Sequence, residues 1–166
     1  MADFDPVAAL KVLVEHRVDF LVIGGVAARL RGAPFLTQDI DVTPSTDRAN
    51  LERLALALKD LKARLRTTTE PDGFPFPFDS ALLESADIWT LTTTHGDLDL
   101  VMSPEGTGGY PDLIRDAEEL RVSIDPELWV TVASLADVIR SKEAAGREKD
   151  RATLPLLRRT LEESDG

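Results

Sequence analysis

Two hydrophobic stretches in the first quarter of the chain carry its clearest pattern. Within residues 19–23, Asp19 is followed by four apolar residues, and this run ends at the adjacent glycines Gly24 and Gly25. A run without polar alternation is typical of a strand that is buried on both faces. In residues 39–42, Asp39 and Asp41 alternate with apolar residues. This alternation predicts a second strand with both carboxylates on one face.

Helical patterns surround these two strands. Asp5 and Pro6 are the residue types preferred at an N-cap and at the first helical position, so a first helix is expected to begin there and to end near His16. Ser134 and Gly146 are suited to the two ends of a later helix. Further helices are predicted over residues 26–31, 44–65, 111–119 and 150–163.

β-Rich segments predict a hairpin in the second half of the chain. Residues 88–94 and 98–102 have the composition of strands, with a His95-Gly96 turn between them. Two further short strands are expected over residues 121–124 and 129–132.

Three segments are predicted to be irregular. Residues 35–38 are expected to lead into the 39–42 strand. Residues 67–79 contain three prolines and three phenylalanines, and we interpret them as a loop held against the core rather than as a surface for a partner. Residues 103–109 are glycine-rich but lack the Lys-Ser/Thr ending of a nucleoside-triphosphatase loop, so a turn is expected. With no repeat or linker evident, the pattern predicts one α/β or α+β domain with a mostly helical C-terminal third.

Composition limits the classes of function. The 166 residues suffice for one domain with a core, and no run approaches the ~20 apolar residues of a membrane span. The acidic N-terminus has no hydrophobic signal core, so a cytoplasmic location is expected. There is no cysteine and there are only two histidines. Any metal is therefore expected to have oxygen ligands, which favours magnesium or manganese.

The charge balance bears on nucleic-acid binding. A net charge of −11 argues against strong indiscriminate binding of nucleic acid, which needs many phosphate-neutralising cations. Lys and Arg nevertheless cluster at residues 59–66 and 140–151, and at Arg29 and Arg31. We interpret each cluster as a solvated helix face, while a local basic cleft stays open.

The paired aspartates are the strongest candidates for chemistry. Two neighbouring carboxylates destabilise a fold unless a cation lies between them, so Asp39 and Asp41 either face water or hold a divalent metal. Asp99 would join them if its strand pairs beside theirs. Asp97 is a competing candidate, but its place beside the Gly96 turn favours a turn role.

The glycine pair supplies the other half of the candidate site. Gly24 and Gly25 allow a sharp turn and leave backbone N–H groups accessible at the start of the predicted 26–31 helix. The N-terminus of a helix favours phosphate binding. The residues alone therefore predict a divalent metal opposite a phosphate-binding turn.

These motifs together resemble a known superfamily. Ile23-Gly24-Gly25, a thirteen-residue gap and Asp39-Ile40-Asp41-Val42 resemble the signature of polymerase-β-like nucleotidyltransferases, and Leu98-Asp99-Leu100 looks like their third carboxylate. Residues 134–150 are similar to small bacterial minimal nucleotidyltransferases, including the AbiEii-type and mycobacterial toxins of toxin–antitoxin systems. The resemblance implies a mixed sheet flanked by helices, in one nucleotidyltransferase domain over residues 1–166. Its α/β catalytic core would end near residue 132, and the helices of residues 133–166 would pack on that core.

The resemblance also implies a role for each motif residue. Gly24 and Gly25 would bind the triphosphate, Asp39 and Asp41 would ligate the metals, and Asp99 would ligate the catalytic metal and activate the acceptor. Lys142 would contact the β- and γ-phosphates, with Arg147 and Lys149 as further nucleotide-binding residues. The alternatives are surface charges for these three cations and an N-cap role for Asp150. Val26 stands where many members carry Ser or another small residue, and this difference affects only a side-chain contact to phosphate.

The function implied is magnesium- or manganese-dependent transfer of a nucleoside monophosphate from a nucleoside triphosphate, with release of pyrophosphate. The similarity of residues 134–150 favours a toxin-like enzyme with an antitoxin partner. Its acceptor would be transfer RNA or another macromolecule, met by a cationic patch of Arg29, Arg31 and Lys142. One alternative is transfer to a small molecule such as an aminoglycoside. Another is a non-catalytic module that binds a nucleotide or a partner.

Overall fold

The computed structural model describes residues 3–34 and 36–165. Within these residues the chain forms seven helices and eight strands. The helices are α1 (Pro6–Glu15), α2 (Gly24–Leu30), α3 (Arg48–Asp60), α4 (Ser80–Glu84), α5 (Tyr110–Leu113), α6 (Leu135–Ala145) and α7 (Glu148–Asp165). The strands are β1 (Phe20–Ile23), β2 (Asp39–Pro44), β3 (Arg64–Leu65), β4 (Phe74–Pro75), β5 (Ile88–Thr93), β6 (Gly96–Val101), β7 (Glu118–Ile124) and β8 (Glu127–Val132).

The strands form one mixed sheet in the order β4-β3-β5-β6-β2-β1-β8-β7. β2 pairs in parallel with β6, and β1 with β8, while the other neighbouring strands are antiparallel. Helix α2 packs against β1, β2 and α6, and α6 packs against α7. This architecture confirms the predicted α/β class and the mixed sheet flanked by helices.

The core is centred on the strands that the hydrophobic pattern predicts. Every residue of β1 is buried, as expected for a strand covered on both faces. Ile40 and Val42 of β2 are buried, while Asp39 and Asp41 are only partly buried. These observations confirm a first strand covered on both faces and a second strand with both carboxylates on one face.

Several element boundaries are also confirmed. Asp5 caps α1 by accepting a hydrogen bond from the Ala8 amide at 3.1 Å, and Ser134 caps α6 by accepting one from the Asp137 amide at 3.1 Å. Gly146 ends α6 in the left-handed conformation, at φ 61°. The predicted hairpin is present as β5 and β6.

Helix α3 is shorter than predicted. It ends at Asp60 rather than at residue 65, because Lys62 adopts φ 52°. The Ala63 amide donates to the Leu58 carbonyl at 2.9 Å and the Lys62 amide to the Lys59 carbonyl at 3.1 Å. These two bonds form a Schellman motif with lysine where glycine is usual, so the sequence carries no stop signal. The freed residues Arg64–Leu65 form β3 instead.

The predicted helix over residues 111–119 is wrong beyond its first turn. Only Tyr110–Leu113 are helical, and the chain enters β7 at Glu118. Pairing with β8 explains the difference, since Glu118 lies opposite Val132 and the antiparallel ladder continues to the end of the hairpin. Non-local strand pairing here outweighs local helical preference.

The aromatic segment of residues 67–79 is partly ordered into β4. Phe76 and Phe78 pack on Trp89, with ring centroids 5.8 and 6.1 Å apart. This packing agrees with a loop held against the core. Asp79 then caps α4, which the sequence reading missed, by accepting from the Leu82 amide at 2.7 Å.

The segment before β2 was predicted to start at Phe35, which lies outside the described residues. Among the helices that are described, none is both long and apolar enough to cross a membrane.

Candidate active site

The predicted carboxylates meet on neighbouring parallel strands. In the β2–β6 register Asp39 lies opposite Asp97, and Asp41 lies opposite Asp99. One carboxylate oxygen from each of Asp39, Asp41 and Asp99 lies within 4.8 Å of the others. The structure therefore brings together the three residues that the sequence analysis named, and their spacing suits a shared cation.

Asp97 does not join this cluster. Its Oδ2 lies 3.4 Å from Nε of Arg66, whose Nη2 donates a hydrogen bond of 3.0 Å to Oδ1 of Asp99. Arg66 follows β3, where its amide donates to the Thr90 carbonyl at 2.9 Å. Sequence reasoning missed the contact between Arg66 and Asp99, because it depends on pairing between β3 and β5.

Burial and the neighbouring carboxylates raise the pKa values of Asp41 and Asp99. Burial, and then the charges of Asp39 and Asp99, raise the pKa of Asp41 to about 7, although Lys142 and Lys149 oppose the shift. Burial raises the pKa of Asp99 to about 6, against the opposing charge of Arg66. Three negative charges are thus unfavourable here unless a cation compensates them. Such a site fits a divalent metal with oxygen ligands.

Gly24 is required by the closeness of β1 to Asp41. It begins α2 with φ 65°, so the helix starts two residues earlier than predicted. A Cβ added to Gly24 would overlap Oδ2 of Asp41 and lie 3.1 Å from its Cγ. Glycine therefore allows both the turn and the approach of the carboxylate. Gly25 lines the same cleft.

The predicted cations line the same cleft as the carboxylates. Lys142, Arg147 and Lys149 line a cavity of about 720 Å³ together with Asp39, Asp41 and Asp99. The Lys142 side chain is only 17% exposed, so its interpretation as a plain surface lysine is wrong. Positive charge thus faces the carboxylate cluster across a space of ligand size.

Asp150 holds two of these cations in place. Its Oδ1 lies 3.3 Å from Nζ of Lys142, and its Oδ2 accepts a 2.7 Å hydrogen bond from Nε of Arg147. Burial alone would raise the pKa of Asp150, but these two partners outweigh it and lower that pKa. Because α7 begins at Glu148, the N-cap interpretation of Asp150 is wrong.

The glycine-rich segment forms a third wall. Residues 103–109 connect β6 to α5 as the predicted turn, and Pro104, Glu105 and Thr107 line the cleft. A Cβ on Gly106 would lie 2.6 Å from Cβ of Ala144, so the loop contacts α6 closely. This close contact explains why residue 106 is glycine, although the segment is not a phosphate-binding motif.

The cationic patch of Arg29, Arg31 and Lys142 is not assembled. Arg31 donates to the carbonyls of Val132 at 3.0 Å and Ala133 at 3.2 Å, and its Nη1 lies 2.6 Å from Glu118. It therefore joins α2 to β8 rather than facing a ligand.

Two solved structures have a similar fold. The lincosamide antibiotic adenylyltransferase LnuA, solved with lincomycin bound, matches with a TM-score of 0.61 and 13% identity, over 94% of this chain and 98% of that chain. The antibiotic-resistance factor ANT(2″)-Ia, in complex with adenylyl-2″-tobramycin, matches with a TM-score of 0.59 and 16% identity, over 92% of this chain and 85% of that chain. No protein-family model and no curated protein matches the sequence. At these identities the likeness establishes the fold.

Proposed function

We propose that this chain is a metal-dependent nucleotidyltransferase. It would transfer a nucleoside monophosphate from a nucleoside triphosphate to an acceptor hydroxyl and release pyrophosphate. The observation that carries the proposal is the carboxylate cluster of Asp39, Asp41 and Asp99, which faces Lys142 across one cleft. The fold shared with two adenylyltransferases supports it.

Asp39, Asp41 and Asp99 would hold magnesium or manganese. Their three oxygens lie within 4.8 Å of one another. Burial, together with the charge of Asp39, raises the pKa of Asp41 and of Asp99, so a cation held by these carboxylates would be stabilising. A divalent cation bound there supplies stabilisation of the attacking and leaving oxygens in phosphoryl-type displacement.

The remaining residues divide the reaction between two sides of the cleft. Lys142, Arg147 and Lys149, with the amides of Gly24 and Gly25, would hold the β- and γ-phosphates and retain pyrophosphate as its bond to the α-phosphorus breaks. On the other side, the oxygen of the acceptor hydroxyl would bond to the α-phosphorus, and Asp99 would accept the proton that this hydroxyl loses.

Two acceptor classes follow from the sequence and the fold. One candidate is a toxin-like enzyme that acts on transfer RNA and has an antitoxin partner, as the resemblance of residues 134–150 implies. A small-molecule acceptor is favoured here, because Arg31 is engaged within the fold and LnuA and ANT(2″)-Ia are described with small antibiotics.

The test is label transfer from α-labelled triphosphates, with magnesium and with RNA, protein and small-molecule acceptors. Wild type is expected to transfer label and Asp41→Asn to lose at least 100-fold, an effect of the order seen when one electrostatic group is removed. Asp116→Asn is the matched control, because Asp116 is an exposed aspartate outside the cleft. Equal activity of wild type and Asp41→Asn would refute the proposal. Thermal stabilisation by magnesium and triphosphate without transfer would indicate the non-catalytic module instead.

A further inference from the structure

The two sides of the carboxylate cluster differ in charge. On one side lie α6 and α7: Lys142 is on α6, Lys149 is on α7, and Arg147 lies in the connection between the two helices. We call these three residues the cationic wall. Helix α6 packs on α2, and α2 packs on β1 and β2. On the other side lie β6 and β5, which follow β2 in the sheet. Asp99 on β6 therefore separates the cationic wall from the surface formed by β5 and β6.

The chemistry assigns the second side to the acceptor, and this step rests on the proposed function. In phosphoryl-type displacement the attacking and leaving oxygens lie roughly in line across the phosphorus. If the cationic wall retains pyrophosphate, the acceptor hydroxyl must approach from the side of β5 and β6. Asp99 is then on the correct side to take its proton.

The surface on that side is apolar with one hydroxyl. The β5–β6 register places Thr90 opposite Asp99 and Ile88 opposite Val101, so these side chains share the face of the carboxylates. All three line the cleft, and Ile88 is 59% exposed. We define Ile88, Thr90 and Val101 as the acceptor wall.

Charge near the acceptor wall is sparse. Arg66 is the cation next to this wall in the part of the chain that the structure describes, since its amide donates to the Thr90 carbonyl. Its guanidinium already pairs with Asp97 and Asp99. One carboxylate, Glu105, lines the cleft in the loop after β6. An RNA end would need several phosphate-neutralising cations or stacking aromatics, and a polycation would need several unpaired carboxylates.

We infer that the acceptor is a small hydroxyl compound with an apolar face and at most one positive charge, bound on the acceptor wall. Its apolar face lies on Ile88 and Val101, and its hydroxyl points to Asp99. Transfer RNA and polyamino sugars are excluded by the same surface.

A matched pair of glycosides tests this assignment. Methyl β-D-glucoside and hexyl β-D-glucoside carry the same hydroxyls and differ only in apolar length; neamine, a polyamino sugar, and total transfer RNA are the other probes. With magnesium and α-labelled triphosphates, the hexyl glucoside is expected to be labelled at least 10-fold faster than the other three, since each buried CH₂ strengthens binding.

Two exposed isoleucines on strands provide the variants. Ile88→Glu is expected to abolish the hexyl preference and to leave the affinity for triphosphate unchanged by calorimetry. Ile124→Glu is the control, because Ile124 is 76% exposed on β7 and does not line the cleft. Tolerance of both substitutions is expected, since neither side chain is buried.

The outcomes separate the two proposals. Faster labelling of transfer RNA or neamine, or a hexyl preference that survives Ile88→Glu, overturns the acceptor assignment and leaves nucleotidyl transfer standing. Equal labelling of both glycosides also overturns the assignment. No labelling of these four probes, or of the protein acceptors used to test the proposed function, by a protein that binds triphosphate and magnesium, overturns the proposed transferase and the acceptor assignment together.

Discussion

Gly24 and Asp41 occupy positions that leave no room for a Cβ between them. The added atom would overlap Oδ2 of Asp41, and Gly24 also has φ 65°. We predict that Gly24→Ala destabilises the fold by about 1–3 kcal/mol through overpacking and backbone strain. Displacement of the Asp41 carboxylate is expected to weaken manganese binding at least 10-fold, measured by calorimetry.

Gly32→Ala is the control for the Gly24 prediction. Gly32 has φ 102°, but an added Cβ would meet only Cγ2 of Thr160, at 3.9 Å. It carries backbone strain without the clash, so stability should fall while manganese affinity stays unchanged. Equal manganese binding by wild type and Gly24→Ala would contradict the prediction.

The raised pKa values of Asp41 and Asp99 predict an unusual pH dependence of stability. Because both pKa values lie above those of the unfolded chain, the folded state binds more protons, and its stability falls as pH rises through about 6 and about 7. In chelator, the free energy of unfolding is expected to decrease by roughly 2–4 kcal/mol between about pH 5 and pH 8.

Denaturant titrations across that pH range check this prediction. Asp41→Asn should flatten the profile, because it removes the group with the larger shift, and magnesium should restore stability at the high-pH end. A stability that rises over the same interval in chelator would show that the carboxylates are already compensated within the protein.

Asp150 is predicted to act on nucleotide binding through Lys142. Asp150→Asn keeps the shape but removes the charge that holds Lys142 and Arg147, so triphosphate affinity should fall about 10-fold and stability by about 3 kcal/mol. Manganese affinity in the absence of nucleotide should change little, since Asp150 is not part of the carboxylate cluster.

Glu143→Gln is the matched control for Asp150. It removes one partner of the exposed Arg158–Glu143 ion pair, 3.0 Å long, which is expected to contribute less than about 1 kcal/mol. Calorimetry with a non-hydrolysable triphosphate distinguishes the two variants. An unaltered triphosphate affinity in Asp150→Asn would show that Asp150 stabilises the fold without positioning Lys142.

The carboxylate cluster could be predicted from the sequence, but the residues around it could not. Alternation along a strand places Asp39 and Asp41 on one face by geometry alone, while Asp99 needed the pairing of β6 with β2, which the resemblance suggested. Arg66 contacts Asp99 from 33 positions away. No local pattern marks a contact of that kind.

The errors in the fold have a similar origin. The helix predicted over residues 111–119 does not form beyond its first turn, because β7 pairs with β8. Local helical propensity does not report this pairing between separate segments. The cationic surface predicted for Arg31 is wrong for the same reason. Its partners, the carbonyls of Val132 and Ala133, are about a hundred residues away in the sequence, so local pattern does not reveal them. Contacts between distant segments decided both cases.

The C-terminal end of α3 offers a stabilising substitution, because its stop signal is carried by a lysine. Lys62 adopts φ 52° at the position where a Schellman motif favours glycine. Lys62→Gly is expected to raise the free energy of unfolding by about 1 kcal/mol, since glycine avoids the steric cost of the left-handed conformation. Lys59→Gly, within the last turn of the same helix, should instead lower it by about 0.5–1 kcal/mol. Opposite signs in denaturant titrations support this account, while destabilisation by both substitutions contradicts it.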